Sequence, residues 1–199
     1  MSEIKKVKRV LNVALAHEEA SEWNEIIKAQ VEAAGRCGLT GLMRRKQFEI
    51  AMRREIRRRG RDNQPLTLGF FDIDKFKKYN DKYGHNKGDS VLETLGKLMI
   101  EKARKVDILA RWGGDEFVIL YLNTDIDGAK TAAEDFIKLV ENELGKRVGL
   151  EETITISMGL TEYFEGLKID DWVEEADKGM YLVKEAGGNG VGVFREEDL

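Results

Sequence analysis

Two apolar runs, Ile108 to Trp112 and Phe117 to Leu122, are separated only by Gly113-Gly114-Asp115-Glu116. Four residues containing Gly-Gly between two β-type runs read as a hairpin. An antiparallel pair therefore stands at the centre of the chain, and the flanking segments must be fitted to it. Upstream, Pro65 introduces a strand from Leu66 to Asp72, with Leu66, Leu68 and Phe70 on one side and Gly69 and Phe71 on the other. A short helix through Tyr79 follows, with Asp74 as its expected cap, then a longer helix with Val91, Leu92, Leu95, Leu98 and Met99 on one face. Downstream of the hairpin, Ala129, Ala132, Ala133, Phe136 and Val140 form the stripe of a helix with Asp127 as its expected cap. Thr153 to Leu160 alternates as a half-buried strand, Trp172, Val173, Ala176, Met180 and Val183 mark the last helix, and Val191 to Phe194 reads as a closing strand. The order βααββαβαβ predicts an α/β fold of the α+β, palm-like kind: a central mixed, mainly antiparallel five-stranded sheet flanked by helices.

Ahead of this unit the chain reads as an N-terminal helical extension. Val7, Leu11, Ala14 and Leu15 fall at helical spacing, and Trp23, Ile26, Ile27 and Val31 form a second group after Ser21, an expected N-cap. Residues 1–38 are thus expected to be a helical dimerisation or signalling segment, and residues 39–199 the main domain. A length of 199 residues suits one domain with a short appendage. A net charge of −4 gives no global attraction to nucleic acid. The helix over 44–60 is strongly basic, with nine Lys or Arg across 44–61, and reads as a solvated face because Phe48 is the only aromatic in the run. A second arm of a ligand site contributed across a dimer and a nucleic-acid surface are the other readings of that run, the latter disfavoured by the acidic overall balance. Cys37 is the sole cysteine, which excludes an internal disulfide and fits a reducing cytoplasm. No apolar h-region and no run of membrane-spanning length is present, so a cytoplasmic location without a membrane segment is expected.

The chemistry-bearing residues gather at strand ends. Asp72 closes the first strand, while Asp115 and Glu116 sit in the hairpin turn. If the hairpin pairs beside the first strand, the three carboxylates converge on one sheet edge. Hard oxygen ligands of this kind suit magnesium, with the backbone carbonyl of Ile73 as a further ligand. Such an ion can activate a hydroxyl and neutralise phosphate charge. The simpler alternative is a solvent-facing Gly-Gly turn beside a helix-capping aspartate.

The arrangement of motifs decides between these readings. Arg111-Trp-Gly-Gly-Asp-Glu-Phe117 resembles the signature of the GGDEF diguanylate cyclase family. Phe71-Asp-Ile-Asp-Lys-Phe-Lys-Lys-Tyr-Asn80, continuing to Asp89, resembles the family's metal and nucleotide segment. Leu39-Thr-Gly-Leu42, Thr155-Ile-Ser-Met-Gly159, and Ala176-Asp-Lys-Gly-Met-Tyr181 with Lys184 resemble its remaining motifs, in the family's order and over about residues 39–195. The resemblance implies an enzyme that joins two GTP into cyclic di-GMP with two Mg2+ (or Mn2+) ions per active site. It implies metal binding by Asp72, the Ile73 carbonyl, Asp115 and Glu116, with the catalytic base among Asp115 and Glu116. It further implies phosphate contacts from Lys77, Lys184 and the backbone around Phe76, and approach of the nucleotide to Gly113 and Gly114. Asn80 and Asp89 match the guanine-reading pair, with His85 lining the same pocket. Arg104 and Asp107 match an R-x-x-D inhibitory site for cyclic di-GMP. A homodimer is implied as well, because each domain would hold one GTP.

Three positions depart from the family pattern. Cys37 and Arg44 stand where the family's first motif has Asp and Asn, which bears on signal transmission more than on chemistry. Gly188 stands where the family has an arginine that helps hold the triphosphate. A charge-assisted hydrogen bond is worth about 1.5–3 kcal/mol, so weaker GTP binding is expected, with Gly188→Arg restoring it. Two other readings stay open: a GGDEF domain that binds GTP or cyclic di-GMP without catalysis, and a palm-type cyclase making a different product, against which Asp89 argues.

Overall fold

The computed structural model describes residues 35–194; the expected N-terminal helices and the Ser21 cap lie outside the described residues. The compact unit beginning at Cys37 runs β1 (Met43–Arg44), α1 (Arg45–Asp62), β2 (Leu66–Ile73), α2 (Phe76–Tyr83), α3 (His85–Lys102), β3 (Ile108–Gly113), β4 (Glu116–Leu122), α4 (Ile126–Arg147), β5 (Ile156–Glu162), α5 (Ile169–Glu185) and β6 (Gly190–Val193). From β2 onward the element order is the expected one. The sheet has six strands rather than five, in the order β1-β3-β4-β2-β5-β6. The additional strand is β1, two residues long and paired parallel with β3 through Met43↔Ala110 and Arg44↔Arg111. Two residues are too few to show any periodicity, so it could not be read from the pattern.

Central β2 is antiparallel to β4 on one edge and to β5 on the other, and β6 closes the sheet parallel to β5. The alternation of β2 sorts its side chains between two cores. Leu66, Leu68 and Phe70 join α1 (Phe48, Ala51, Met52) and α5 (Trp172, Ala176, Met180) on one face. Phe71 and Ile73 join α3 (Val91, Leu95, Leu98) and α4 (Ala133, Phe136, Val140) on the other. Seven of the eight β2 residues are buried. Both faces are covered because the helices carry complementary stripes at helical spacing.

Two expected caps are corrected. The helix after the hairpin is capped by Asp125, which accepts from the N–H of Gly128 at 2.9 Å; Asp127 lies in the first turn instead, where its charge favours the helix dipole. Asp74 does not cap α2, whose N-cap is Lys75 in the left-handed region at φ 57° with no side-chain cap. The strand expected from Thr153 starts at Ile156.

The fully buried Trp172 anchors α5: its Nε1 donates to the Thr161 carbonyl at 3.1 Å, and its ring meets Tyr163 edge-on at 5.0 Å. Trp172→Phe strands a buried carbonyl and leaves a void, together about 2–4 kcal/mol. Urea unfolding should show the midpoint falling at unchanged slope; an unchanged midpoint would mean that α5 is held by other contacts.

Candidate active site

The register of β2 brings the acids together. Asp72 is directly opposite Glu116 on β4 and Ser157 on β5, so Asp72 and Glu116 share a face. A bulge between Arg111 and Gly113 lets the strands run on to Gly113 and Glu116, and the turn shrinks to Gly114-Asp115. Arg111 pins that turn, with Nε and Nη2 donating to the Gly114 carbonyl at 2.9 and 2.6 Å. A Cβ on Gly114 would meet nothing within 4 Å, so the main chain of the turn is open on that side.

Lys184 reaches from α5 to Asp72, its Nζ 2.5 Å from Oδ2. The other carboxylate oxygen, Oδ1, is buried and without a hydrogen-bond partner. Burial pushes the Asp72 carboxyl up from 3.8 to about 6; the Lys184 hydrogen bond opposes this, and the charges of Asp115 and Glu116 add to it. Glu116 is also raised, first by burial and then by Asp177 and Asp115, against Lys184 and Arg45. One ammonium among these acids leaves an orphaned oxygen and net repulsion, which is the setting a divalent cation relieves. Among the described residues no three His, Cys, Asp or Glu side chains form a closed metal cage. An ion here would complete its shell with main-chain and ligand oxygens, as magnesium does and structural zinc does not.

Asp74 is a hub instead of a cap. It accepts from Thr155 Oγ1 at 2.6 Å, Ser157 Oγ at 2.6 Å and the N–H of Asn189 at 2.9 Å. It thereby ties the end of β2 to β5 and to the turn at 187–189. Gly188 lies against it at φ 83°, and a Cβ there would be 2.9 Å from Asp74 Oδ2. Any side chain at 188 must take a left-handed backbone and shift a carboxylate held by three donors. The expected gain from Gly188→Arg therefore comes with a structural cost.

The remaining predicted residues divide by place. Lys77, exposed, and Asn80, half-buried, lie on α2, which begins three residues after β2 ends. His85 and Asp89, both exposed, are in the first turns of α3. Phe76 is only 8% exposed and its ring belongs to the core, leaving its backbone alone for a ligand. No side chain caps α2, so its first N–H groups are unengaged by a cap. Arg104 and Asp107 are at the other end of β4. Arg104 grips Asp107 through Nε and Nη2 at 3.0 and 2.6 Å, the Leu122 carbonyl at 3.0 Å and Thr124 Oγ1 at 2.7 Å. The seven-residue strand β4 runs from Glu116 to Leu122, about 20 Å from end to end. Sequence reasoning missed the Arg111 pin, the Asp74 hub and Asp177 beside Glu116; Arg111 and Asp177 were visible only as members of motifs, and Asp74 was expected only as a cap.

Residues 36–190 match the family model described as diguanylate cyclase, GGDEF domain. The chain belongs to the GGDEF domain family. Diguanylate cyclase A of Treponema denticola is 38% identical over 133 residues, covering 66% of this chain and 36% of that protein. Diguanylate cyclase DgcP of Pseudomonas aeruginosa is 33% identical over 171 residues, covering 85% of this chain and 25% of that protein. The chain thus spans roughly a quarter to two-fifths of the length of the curated relatives it matches. Among solved structures, the coiled coil and GGDEF domain of DgcB from Caulobacter crescentus, in complex with c-di-GMP, superposes with a TM-score of 0.82 at 28% identity, covering 92% of this chain and 97% of that one. The active GGEEF domain of a diguanylate cyclase from Vibrio cholerae gives 0.70 at 31% identity, over 78% and 99%. No helix among the described residues of this GGDEF domain is long and apolar enough to cross a membrane.

The Asp72 shift carries a pH signature. The carboxyl ionises near 3.8 in the unfolded chain and at about 6 in the fold, so folding takes up a proton between those values. Stability from this group is greatest below the window and falls as pH rises through it. In metal-free protein Asp72→Asn should raise the Tm relative to wild type at about pH 7.5 but not at about pH 4. Thermal melts with chelator check this, and an equal difference at both pH values would refute it.

Proposed function

We propose that this GGDEF domain is a diguanylate cyclase, condensing two GTP into cyclic di-GMP with release of two pyrophosphates. The carrying observation is the Asp72–Glu116 pairing, with an orphaned Asp72 oxygen and Lys184 alongside. Asp72, the Ile73 carbonyl, Asp115 and Glu116 would hold magnesium or manganese. When bound, the ions make the ribose 3′-hydroxyl more acidic and offset charge on the attacked α-phosphate and the pyrophosphate. Asp115, in the open turn, or Glu116 accepts the hydroxyl proton; a raised carboxyl such as Glu116 suits that task better than an ordinary one. Lys184, which meets Asp72 at 2.5 Å, would be available to the phosphates if Asp72 held a cation. Lys77 and the uncapped start of α2 add positive potential on the same side. Asp89 accepts from the N1–H and 2-amino edge that guanine has and adenine lacks, and Asn80 supports the same selection. Each domain holds one nucleotide, so two copies face each other to close the ring, with residues 1–38 raising the local concentration of the second. GTP supply is consistent with a cytoplasmic location.

Product inhibition at Arg104 and Asp107 belongs to the same proposal. Arg104 keeps 52% of its side chain exposed, and its Nη1 bonds no protein atom among the described residues, so part of the fork is free for phosphate or a guanine edge. A binding module without turnover is the second reading, favoured by glycine at 188.

Mass identification of products after incubation with magnesium and each nucleotide tests the cyclase reading. Cyclic di-GMP from GTP alone is expected, lost in Glu116→Gln and in Asp72→Asn; no product from wild type at high protein concentration would favour the binding module. Added micromolar cyclic di-GMP should slow wild type, and Arg104→Ala should abolish that slowing. Because Arg104 also bridges to Thr124 and Leu122, a Tm drop in the variant is expected too. Wild-type turnover indifferent to product would sink the inhibitory site.

A further inference from the structure

Gly88 occupies the first turn of α3, where glycine is a poor helix former. A Cβ built on it would lie 1.8 Å from Asn80 Oδ1, 3.0 Å from Asn80 Cγ and 3.3 Å from Phe76 Cζ. The Asn80 amide therefore fills the space that a side chain at 88 would need. Gly88 itself is buried. Among the described residues the Asn80 side chain makes no hydrogen bond, although the Asn80 carbonyl accepts from the N–H of Gly84 at 2.8 Å. Phe76 is locked in the core and cannot retreat. The amide oxygen thus lies in the space left by the missing side chain of Gly88, one residue before Asp89.

We propose that Gly88 is a positioning residue for nucleotide selection: its missing side chain forms the slot that aims the Asn80 amide beside Asp89. The inference rests on the reading of Asn80 and Asp89 as the guanine-recognising pair. An alanine at 88 favours the helix intrinsically but expels the amide, because 1.8 Å is far inside contact distance. The effect should fall on nucleotide binding and hardly on the chemical step, since the acids at β2 and β4 are untouched.

A double-mutant cycle separates this from a general packing role. Gly88→Ala, Asn80→Ala and the double variant are compared with wild type by calorimetric titration of a non-hydrolysable GTP analogue with magnesium, by KM and kcat, and by thermal melts. Gly88→Ala should weaken binding by about the same factor as Asn80→Ala, on the order of tenfold for one lost hydrogen-bonding group. It should raise KM with kcat nearly unchanged. In the Asn80→Ala background the slot is vacated, so adding Gly88→Ala should cost no further affinity and should not lower the Tm. Additive losses of affinity, or a Gly88→Ala protein that binds as wild type while Asn80→Ala is impaired, overturn the proposal and leave guanine reading intact. Wild-type binding by Asn80→Ala overturns the guanine reading and the proposal with it.

Discussion

The simultaneous pairing of β2 with β4 and β5 is the constraint on which the rest of the domain depends. A strand hydrogen-bonded along both edges and packed on both faces cannot slip, because a one-residue shift would exchange Leu68 and Phe70 with Phe71 and Ile73 and empty both cores. The register that this enforces places Asp72 opposite Glu116 and Ser157. Burial of the other seven residues of β2 therefore holds the Asp72 carboxylate in a poorly hydrated place beside other acids. The raised Asp72 and the orphaned Oδ1 are the electrostatic consequence.

The second half of the site is brought to this strand end by α5 and by the turn that follows it. Trp172 seats α5 on the face that carries Leu68 and Phe70, and twelve residues later Lys184 meets Asp72. Asp74 gathers Thr155, Ser157 and Asn189, so strand end, neighbouring strand and turn share one polar knot. Partial neutralisation by a single lysine leaves the acids open to a divalent cation, which on the proposed reading would take the carboxylate and leave Lys184 to the phosphates.

Much of the fold was legible because its signals are local. Alternation in β2, the Gly-Gly spacing of the hairpin and the helical stripes are properties of short windows, and all elements after β2 appear in the expected order. The candidate site residues were legible only as members of motifs, and the family match covers residues 36–190 in which they lie. What escaped had no local signal. The two-residue β1 exists only because β3 offers an edge to pair with. Asp74 was expected to serve its own helix, but Thr155, Ser157 and Asn189 are stronger claimants that lie more than eighty residues away in sequence. Asp125 displaced Asp127 because its extended backbone, with its side chain accepting from Gly128, meets the geometric need of a cap.

The amino-acid sequence by itself determined the hairpin, the order of strands and helices, which face of each element is apolar, and the set of acids, lysines and amides available for chemistry. Those follow from spacing and residue type. Only the tertiary structure decided that Asp72 is desolvated and raised, that Lys184 stands against it, that Gly188 is pressed on Asp74, and that Asn80 fits the slot left by Gly88. Each of these is a distance between residues remote in sequence or on separate helices, and such distances are set by register and packing rather than by any window of the chain.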